Sequence, residues 1–242
     1  MRTIHFFFLA LLFFISGITK SQDISIGLKD GISWTTINGR WDYKNLKNSQ
    51  IKNITEHSFG LMLNYKLCSH FVVQTEINIE RKGFDFKVSN DYNGLGYHGN
   101  YRLKYLNIPI TVHYELGKNV NYYIYTGIYL ARLLKAENYT SISLSYPSSY
   151  RHLDESYDPT DEFNKSVLGG IVGLGIKIPL CETVQFIIDS RYQLDLTKAA
   201  KNTEYSYDPN QYLLETPNNF QNVYTRSFTM SVGVLYKIPN KK

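Results

Sequence analysis

The sequence feature that most constrains the fold is a series of eight segments in which apolar and polar residues alternate. Alternation with a period of two is typical of a β-strand that has one apolar face and one polar face. Every segment is long enough to cross a membrane as a tilted strand, which needs only about 9–11 residues. The predicted strands are residues 24–34, 58–67, 71–82, 101–116, 122–134, 167–178, 184–196 and 228–238.

The connections between these segments are alternately very short and long. Short turns are predicted at 68–70, 117–119 and 181–183, and long loops at 35–57, 88–100, 135–165 and 197–226. Outer-membrane barrels have an even number of antiparallel strands, short periplasmic turns and long extracellular loops. We therefore predict an all-β fold, an eight-stranded antiparallel up-and-down transmembrane β-barrel with short periplasmic turns and long extracellular loops.

The first 21 residues have the pattern of a cleavable signal peptide. An early charge at Arg2 precedes an apolar run over residues 4–15, and Gly17 and Lys20 interrupt that run before it is long enough to span a bilayer. We therefore expect residues 1–21 to be the signal peptide and residues 22–242 to form the outer-membrane barrel domain.

Charge and composition exclude several classes of protein. The formal net charge of +5 falls to about +3 once Arg2 and Lys20 leave with the leader, which is too small to indicate a nucleic-acid partner. Outside the leader there is no apolar run near 20 residues, so a helical membrane protein is excluded. The 21 tyrosines suit strands and membrane interfaces, although an aromatic-rich soluble β protein remains an alternative.

Charged residues share one face of several segments, opposite an apolar face. In a membrane barrel the apolar face meets lipid and the polar face lines the lumen, whereas a soluble lipocalin-like barrel has the reverse arrangement. An eight-stranded barrel is narrow, and buried charges need partners. We therefore predict a plugged lumen rather than an open pore, with a polar network of Glu76, Glu80, Lys82, Asp189 and Arg191.

Asp30 departs from this pattern because it falls on the apolar face of the first segment. A charge that faces lipid at mid-depth is costly. We therefore predict a bulge or a register break at Asp30, with the residue near an interface.

The sixth segment is unusual because its inward positions include Gly169, Gly173 and Gly175. Glycine leaves the inner face of a strand almost bare. The pattern predicts that bulky side chains from neighbouring strands occupy this space.

The two cysteines, Cys68 and Cys181, are predicted to be free thiols. They fall in the first and third short turns, on opposite sides of the barrel rim. That separation exceeds the limit of about 7 Å between the Cα atoms of a disulfide.

The predicted outer loops contain the best candidates for recognition of a partner. The sequence Ser-Tyr-Asp-Pro occurs at both 156–159 and 206–209 among other tyrosines. Tyrosine is a common contact residue because few rotatable bonds are fixed when it binds. We predict loop contacts with an extracellular or envelope protein at Tyr157, Asp158, Tyr207 and Asp208, and the alternative that these loops only decorate the surface stays open.

An enzyme is a weaker interpretation of the same loops. His152, Asp154, Glu155 and Ser156 lie close together in the sequence, and a histidine beside a carboxylate suits general-base chemistry. These residue types are common in loops, and there is no zinc, phosphate-loop or dinucleotide motif. We therefore predict no enzymatic activity, no catalytic residue, no metal site and no cofactor.

Several motifs resemble the outer-membrane β-barrel domain family of Bacteroidetes, whose members are called porin-like or PorT-like. The motifs lie at 27–31, 74–77, 81–83, 105–110, 125–129 and 189–192, and Tyr-Leu-x-Ile-Pro at 105–109 is the most distinctive. Asn107 departs from the glutamate common in that family, and the chain lacks a terminal aromatic residue. The resemblance implies an outer-membrane location and, as an alternative function, a component that assists protein secretion or envelope assembly.

Overall fold

The fold is a single antiparallel β-sheet that closes on itself. The computed structural model describes residues 23–41, 48–90, 95–146, 149–201 and 220–239. These residues form ten strands and one short 3-10 helix at Thr160–Glu162. The strands are β1 (Ile24–Trp41), β2 (Asn48–Lys52), β3 (Ile54–Lys66), β4 (Phe71–Asn90), β5 (Leu95–Leu116), β6 (Asn121–Tyr146), β7 (Ser149–Tyr157), β8 (Ser166–Pro179), β9 (Val184–Asp195) and β10 (Phe220–Lys237).

Eight of these strands form a closed ring in the order β1-β3-β4-β5-β6-β8-β9-β10. Every neighbouring pair is antiparallel, and β10 pairs with β1 from Ser25 opposite Lys237 to Trp41 opposite Phe220. The predicted eight-stranded up-and-down barrel is confirmed. No helix within the described ranges is long and apolar enough to cross a membrane.

The two ends of the barrel differ as predicted. The turn end carries the three short connections and both ends of the described chain, Asp23 and Pro239, while the other connections lie at the loop end. At the loop end the strands are longer than predicted, because β4 and β5 pair as far as Asn90 opposite Leu95. Two further strands also lie there, since β2 pairs with β4 and β7 pairs with β6.

The prediction that residues 35–57, 88–100, 135–165 and 197–226 are loops is therefore wrong in part, since β10 already begins at Phe220. Backbone hydrogen bonds continue beyond the stretch in which the outward side chains are apolar, and burial still alternates there, with Phe86 inside and Lys87 outside. The pattern of apolar outward and polar inward residues is lost there because it depends on the surroundings of each face and not on the hydrogen bonding itself.

The outer surface of the barrel is apolar around the whole ring. Large aliphatic side chains are about half exposed on every barrel strand, whereas charged and polar side chains lie inside. A soluble barrel buries its apolar face, so the lipocalin-like alternative is wrong. Outward side chains include Leu28, Leu61, Ile77, Ile110, Ile128, Leu174, Ile188 and Val232.

Asp30 is accommodated without a bulge, and the prediction of a register break there is wrong. Asp30 pairs in register with Val232 on one side and Phe59 on the other. Its Oδ1 atom lies 3.1 Å from Nε2 of His57, which is also exposed on the outer surface. A polar side chain on the next strand therefore supplies a partner for Asp30 while the backbone ladder remains regular.

The two cysteines are exposed free thiols in separate turns. Cys68 follows β3, and Cys181 follows β8. The Cys181 thiol has a pKa below its usual value because backbone and side-chain groups of Thr183 hydrogen-bond to the sulfur.

Tyrosines of β6 pack over the glycines of β8. Tyr129 lies opposite Gly169, and Tyr125 lies opposite Gly173. A Cβ atom at Gly173 would lie 2.3 Å from Cζ of Tyr125 and 2.7 Å from the Ser190 carbonyl oxygen, both closer than van der Waals contact allows. These glycines therefore provide the space that the inward-facing tyrosines occupy.

Gly173→Val is expected to destabilise the barrel by about 1–3 kcal/mol, the usual cost of overpacking. The matched control is Gly170→Val on the same strand, because a Cβ atom at Gly170 has no neighbouring atom within 4 Å. The measurement is denaturant unfolding in detergent, together with the temperature at which the fast-migrating folded band disappears from a gel. Equal stability of the two variants would contradict the packing argument.

Candidate functional site

The centre of the lumen is organised around Arg191 of β9. Its Nη1 atom lies 2.9 Å from Oε2 of Glu76, and its Nη2 atom is hydrogen-bonded to Oε1 of Glu80. The Arg191 side chain is 1% exposed. A guanidinium binds carboxylates through a planar set of N–H donors, so this one residue joins two carboxylates of β4.

The barrel topology explains why Arg191 reaches these glutamates. Strands β4 and β9 lie half a circuit apart in the ring of eight strands. Both glutamates and Arg191 point inward because they occupy alternate positions on strands whose other face is apolar. The ion pairs therefore cross the lumen and connect opposite walls.

Other inward side chains also donate hydrogen bonds to the two glutamates. Glu76 accepts hydrogen bonds from Lys29 Nζ at 2.7 Å and from Asn78 Nδ2 at 2.7 Å. Glu80 accepts a hydrogen bond from Asn107 Nδ2 at 2.8 Å. These contacts satisfy carboxylate oxygens that would otherwise be costly to bury.

A second charged cluster lies nearer the loop end. Lys82 Nζ lies 3.6 Å from Oδ1 of Asp195, and the Tyr129 hydroxyl donates to the same oxygen at 2.5 Å. The backbone N–H and the hydroxyl of Thr225 donate to Oδ2 of Asp195 at 2.7 and 2.6 Å. Lys82 also lies over the Tyr129 ring, 4.6 Å from its centroid.

Asp189 contacts tyrosines. The hydroxyl of Tyr123 donates to its Oδ2 at 3.1 Å, and the hydroxyl of Tyr125 donates to its Oδ1 at 2.9 Å. Tyr125 is also one of the tyrosines that pack over the glycines of β8. The glycine-lined wall and the polar network are therefore one packing unit.

The turn end of the lumen carries a further ion pair between Lys177 and Glu115. A cavity of about 70 Å³ opens beside it and is also lined by Asp23, Asn64 and Lys237. A cavity of this size holds a few water molecules.

All five predicted network residues lie on the inner face, and the structure brings three of them into direct contact. Lys82 and Asp189 instead bind partners that the prediction omitted. Lys29 and Asp195 could have been found from the sequence, because both occupy inward positions on predicted strands. The carboxylates that the tyrosines bind could not, because strand register decides which residues meet. The residues that the prediction omitted are Lys29, Glu115, Tyr123, Tyr125, Tyr129, Lys177 and Asp195.

The loop end of the lumen is apolar, a feature that the sequence analysis missed. Phe84 and Tyr101 stack with ring centroids 5.0 Å apart, and Phe86 stacks on Tyr101 at 5.8 Å. The Phe163 ring contacts Tyr101 edge-on at 6.0 Å. Phe84, Phe86, Tyr101 and Phe163 are fully buried, so they form an apolar layer above the charged network.

The chain that carries Phe163 crosses the loop end of the barrel and is held there by backbone hydrogen bonds. The N–H of Asn164 donates to the Ala199 carbonyl at 2.8 Å, and the N–H of Lys201 donates to the Glu162 carbonyl at 2.8 Å. Ala199 in turn donates to the Val223 carbonyl of β10 at 2.7 Å. Residues 160–165 and 196–201 therefore form a lid over the apolar layer.

Of the four predicted loop contacts, the structure describes the side chain of Asp158 alone. It is exposed, and its Oδ1 accepts a hydrogen bond from the Thr160 backbone N–H at 2.9 Å. A hydrogen bond from the Thr160 hydroxyl, together with that backbone bond, holds the pKa of Asp158 below its usual value. Tyr207, Asp208 and the side chain of Tyr157 lie outside the described residues.

The cluster considered for catalysis lies on β7. Asp154 pairs with Ser141 of β6, and Glu155 pairs with Thr140. The His152 side chain lies outside the described part of the chain. Among the residues that the structure describes, there is no group of three or more histidine, cysteine or carboxylate side chains placed to hold a metal ion.

The chain matches one protein family over most of its length. The family described as outer membrane protein beta-barrel domain matches residues 20–201. The match ends before β10, the strand that pairs with both β1 and β9. No curated protein matches the chain.

Similar solved structures include three outer-membrane barrels. Neisserial surface protein A is 13% identical, with a TM-score of 0.45, over 90% of this chain and 100% of that chain. OprG from Pseudomonas aeruginosa is 13% identical, with a TM-score of 0.48, over 89% of this chain and 96% of that chain. Ail, the attachment invasion locus protein of Yersinia pestis, is 13% identical, with a TM-score of 0.40, over 88% of this chain and 98% of that chain.

Arg191→Ala is expected to destabilise the folded barrel by about 3–5 kcal/mol, because it leaves Glu76 and Glu80 buried without their shared cation. The measurement is the free energy of unfolding in detergent or lipid. Arg81→Ala is the matched control, since Arg81 is exposed on the outer surface of β4, the strand that carries Glu76 and Glu80. Adding Glu80→Gln to Arg191→Ala should recover part of the loss.

Equal unfolding free energies for Arg191→Ala and Arg81→Ala would contradict this role of the network. The same conclusion would follow if Glu80→Gln gave no recovery in the Arg191→Ala background.

Proposed function

Since the chain belongs to the outer membrane protein beta-barrel domain family, we propose that it is an outer-membrane barrel with a plugged lumen and a structural or surface-interaction role. It is not an open general porin. The observation that carries the proposal is the apolar layer of Phe84, Phe86, Tyr101 and Phe163, which lies above the ion pairs of Arg191.

Three successive layers support a closed lumen. The Lys177–Glu115 ion pair lies at the turn end, the Arg191 network at the centre, and the apolar layer with its lid at the loop end. An eight-stranded barrel has an interior just wide enough for its own side chains. A hydrated ion on its way through would have to displace paired charges and then cross buried aromatic rings.

The outer loops are proposed to contact an extracellular or envelope protein. Beyond the ring, β5, β6 and β7 continue as a small sheet. A shallow cleft of about 380 Å³ on this sheet is lined by residues that include His98, Asn100, Tyr139 and Asp154. Mixed aromatic and polar surfaces suit protein contacts. Tyr157, Asp158, Tyr207 and Asp208 are the proposed contact residues.

Purified wild-type protein in a planar bilayer is expected to show no stable open-channel conductance. Arg191→Ala should also remain closed, because the apolar layer does not depend on that arginine. The measurement is single-channel recording at both polarities, with a known general porin as the positive control. Porin-like conductance of the wild type would contradict the plugged lumen.

The same recordings test the alternative that the charged network conducts protons or small ions. A small wild-type current that Arg191→Ala alters would support that path. Absence of current in both proteins would exclude it.

A component that assists protein secretion or envelope assembly is the second candidate function. The Tyr-Leu-x-Ile-Pro element at 105–109, which resembles a motif of PorT-like proteins, favours it, and in the structure this element lies within β5. A pull-down from native membranes separates the two functions. A stoichiometric secretion or assembly partner would support the second candidate, and its absence would support a structural role.

Deletion of residues 205–214 is expected to abolish partner capture while the barrel stays folded, because the deleted segment belongs to a predicted outer loop. The measurement is the pull-down yield beside heat-modifiability on a gel. Shortening of the turn-end connection at Lys118 provides a control at the opposite end of the barrel. Unchanged capture after the loop deletion would favour loops that only decorate the surface.

A further inference from the structure

The outer wall of the barrel carries a row of cations across three neighbouring strands. Arg81 of β4 lies directly opposite Lys104 of β5, and Lys104 lies directly opposite Lys135 of β6. All three side chains are exposed on the outer surface. Directly opposed residues in an antiparallel sheet have Cβ atoms about 4.5–5.5 Å apart, so Arg81 and Lys104 stand side by side. The register of β5 with β6 shifts between Lys104 and Tyr105, so Leu134 and Lys135 are both exposed, and Lys135 lies beside Lys104 at this irregularity.

Nearby charges only partly balance this cation row, defined as Arg81, Lys104 and Lys135. Glu137 Oε1 lies 2.7 Å from Lys135 Nζ. Exposed Arg102 and Arg132 add two more cations, and Arg102 lies 3.4 Å from Glu56. The exposed carboxylate of Asp158 attracts Lys135 more weakly than Glu137 does. The sector therefore keeps an excess of positive charge.

The cation row stands at the loop-end border of the apolar outer surface. On β4 the outward residues from Phe71 to Ile79 are apolar or threonine, and Arg81 follows them. A stretch of about ten residues, at about 3.3 Å per residue and tilted by about 40°, spans about 25 Å, the height of the apolar band of a membrane barrel. This places the cation row at the level of the lipid headgroups.

Within the described wall, the strands on the other side carry no such row of opposed cations at a similar distance from the turn end. Outward positions there include exposed Trp34 on β1, Leu194 on β9 and Phe228 on β10, and Arg226 of β10 lies opposite Leu194 and Thr36 rather than another cation. Trp34 and Phe228 stack with ring centroids 5.9 Å apart. Positive charge is thus concentrated on one side of the wall, as expected of a localised binding site.

Like charges placed directly opposite each other destabilise a sheet unless an anion lies between them. We propose that the cation row binds the phosphate groups of a phosphorylated glycolipid in the outer leaflet. Phosphate accepts charge-assisted hydrogen bonds from both guanidinium and ammonium groups. One lipid phosphate above Arg81 and Lys104, or above Lys104 and Lys135, would neutralise part of the repulsion.

The position of the cation row favours a lipid over a soluble anion or an acidic protein. Ile79, Leu106 and Leu134 lie next to it on the same three strands, toward the turn end, and each is at least partly exposed. A lipid satisfies both surfaces at once, since its acyl chains cover the apolar residues while its phosphates meet the cations. An acidic protein would have to displace lipid from these apolar residues.

The test measures the binding of diphosphorylated lipid A to the detergent-purified full chain by native mass spectrometry. The same lipid without its phosphates is the reference ligand. The triple variant Arg81→Gln/Lys104→Gln/Lys135→Gln should bind diphosphorylated lipid A about 10- to 100-fold more weakly than wild type, given the usual contribution of each basic residue near anionic lipid. Heat-modifiability verifies that each variant is folded.

A matched control variant separates the cation row from net charge. Lys52→Gln/Lys118→Gln/Lys201→Gln removes the same charge from exposed sites elsewhere and should bind within about twofold of wild type, because contributions of this kind are local. Equal weakening in both triple variants, or no weakening in either, would overturn the proposal. So would equal binding of the lipid with and without phosphates.

Two further measurements have expected results that a folding defect could not produce. Glu137→Gln removes the carboxylate that pairs with Lys135 and should tighten lipid binding severalfold, and weaker binding would overturn the proposal. Inositol hexakisphosphate serves as a soluble phosphate probe. Weak displacement of the lipid by this probe supports a lipid site, whereas binding as tight as that of lipid A, lost in the cation-row variant, would overturn the lipid assignment.

Discussion

The closure of β10 onto β1 is the constraint on which the rest of the structure depends. A sheet edge exposed to hydrocarbon would leave backbone N–H and C=O groups without hydrogen-bond partners, at a cost of several kcal/mol for each group. Pairing from Ser25 with Lys237 to Trp41 with Phe220 removes both edges. A ring of eight strands is then narrow, so every inward side chain must pack against or bind another one.

The lumen solves this packing problem with different chemistry along its length. At the centre, Arg191 joins Glu76 and Glu80 across the ring, because a long cation can reach from one wall to the other. Toward the loop end, buried Phe84, Tyr101 and Phe163 replace the ion pairs. Along the wall formed by β6 and β8, tyrosines occupy the space above the glycines of β8 and donate hydrogen bonds to buried Asp189 and Asp195, so that steric and electrostatic complementarity coincide.

The outer wall is chemically separate from the lumen. Because successive side chains of a strand point to opposite faces, the residues that meet lipid point away from those that fill the interior. The cation row and the central network occupy the same strand β4 at Arg81 and Glu80, one facing out and one facing in. A lipid site on the wall and a closed lumen are therefore independent features, and each can be altered without loss of the other.

Alternation along the sequence determined the eight strands, the inward direction of Glu76, Glu80 and Arg191, and the apolar exterior, because a period of two is a local property of the chain. The regular change between short and long connections indicated that neighbouring strands are antiparallel. Neither pattern revealed the apolar layer at the loop end, the lid carrying Phe163, or the in-register contact of Asp30 with His57. Those features depend on which residues of distant strands meet, and strand register and ring closure set that pairing only in the tertiary structure.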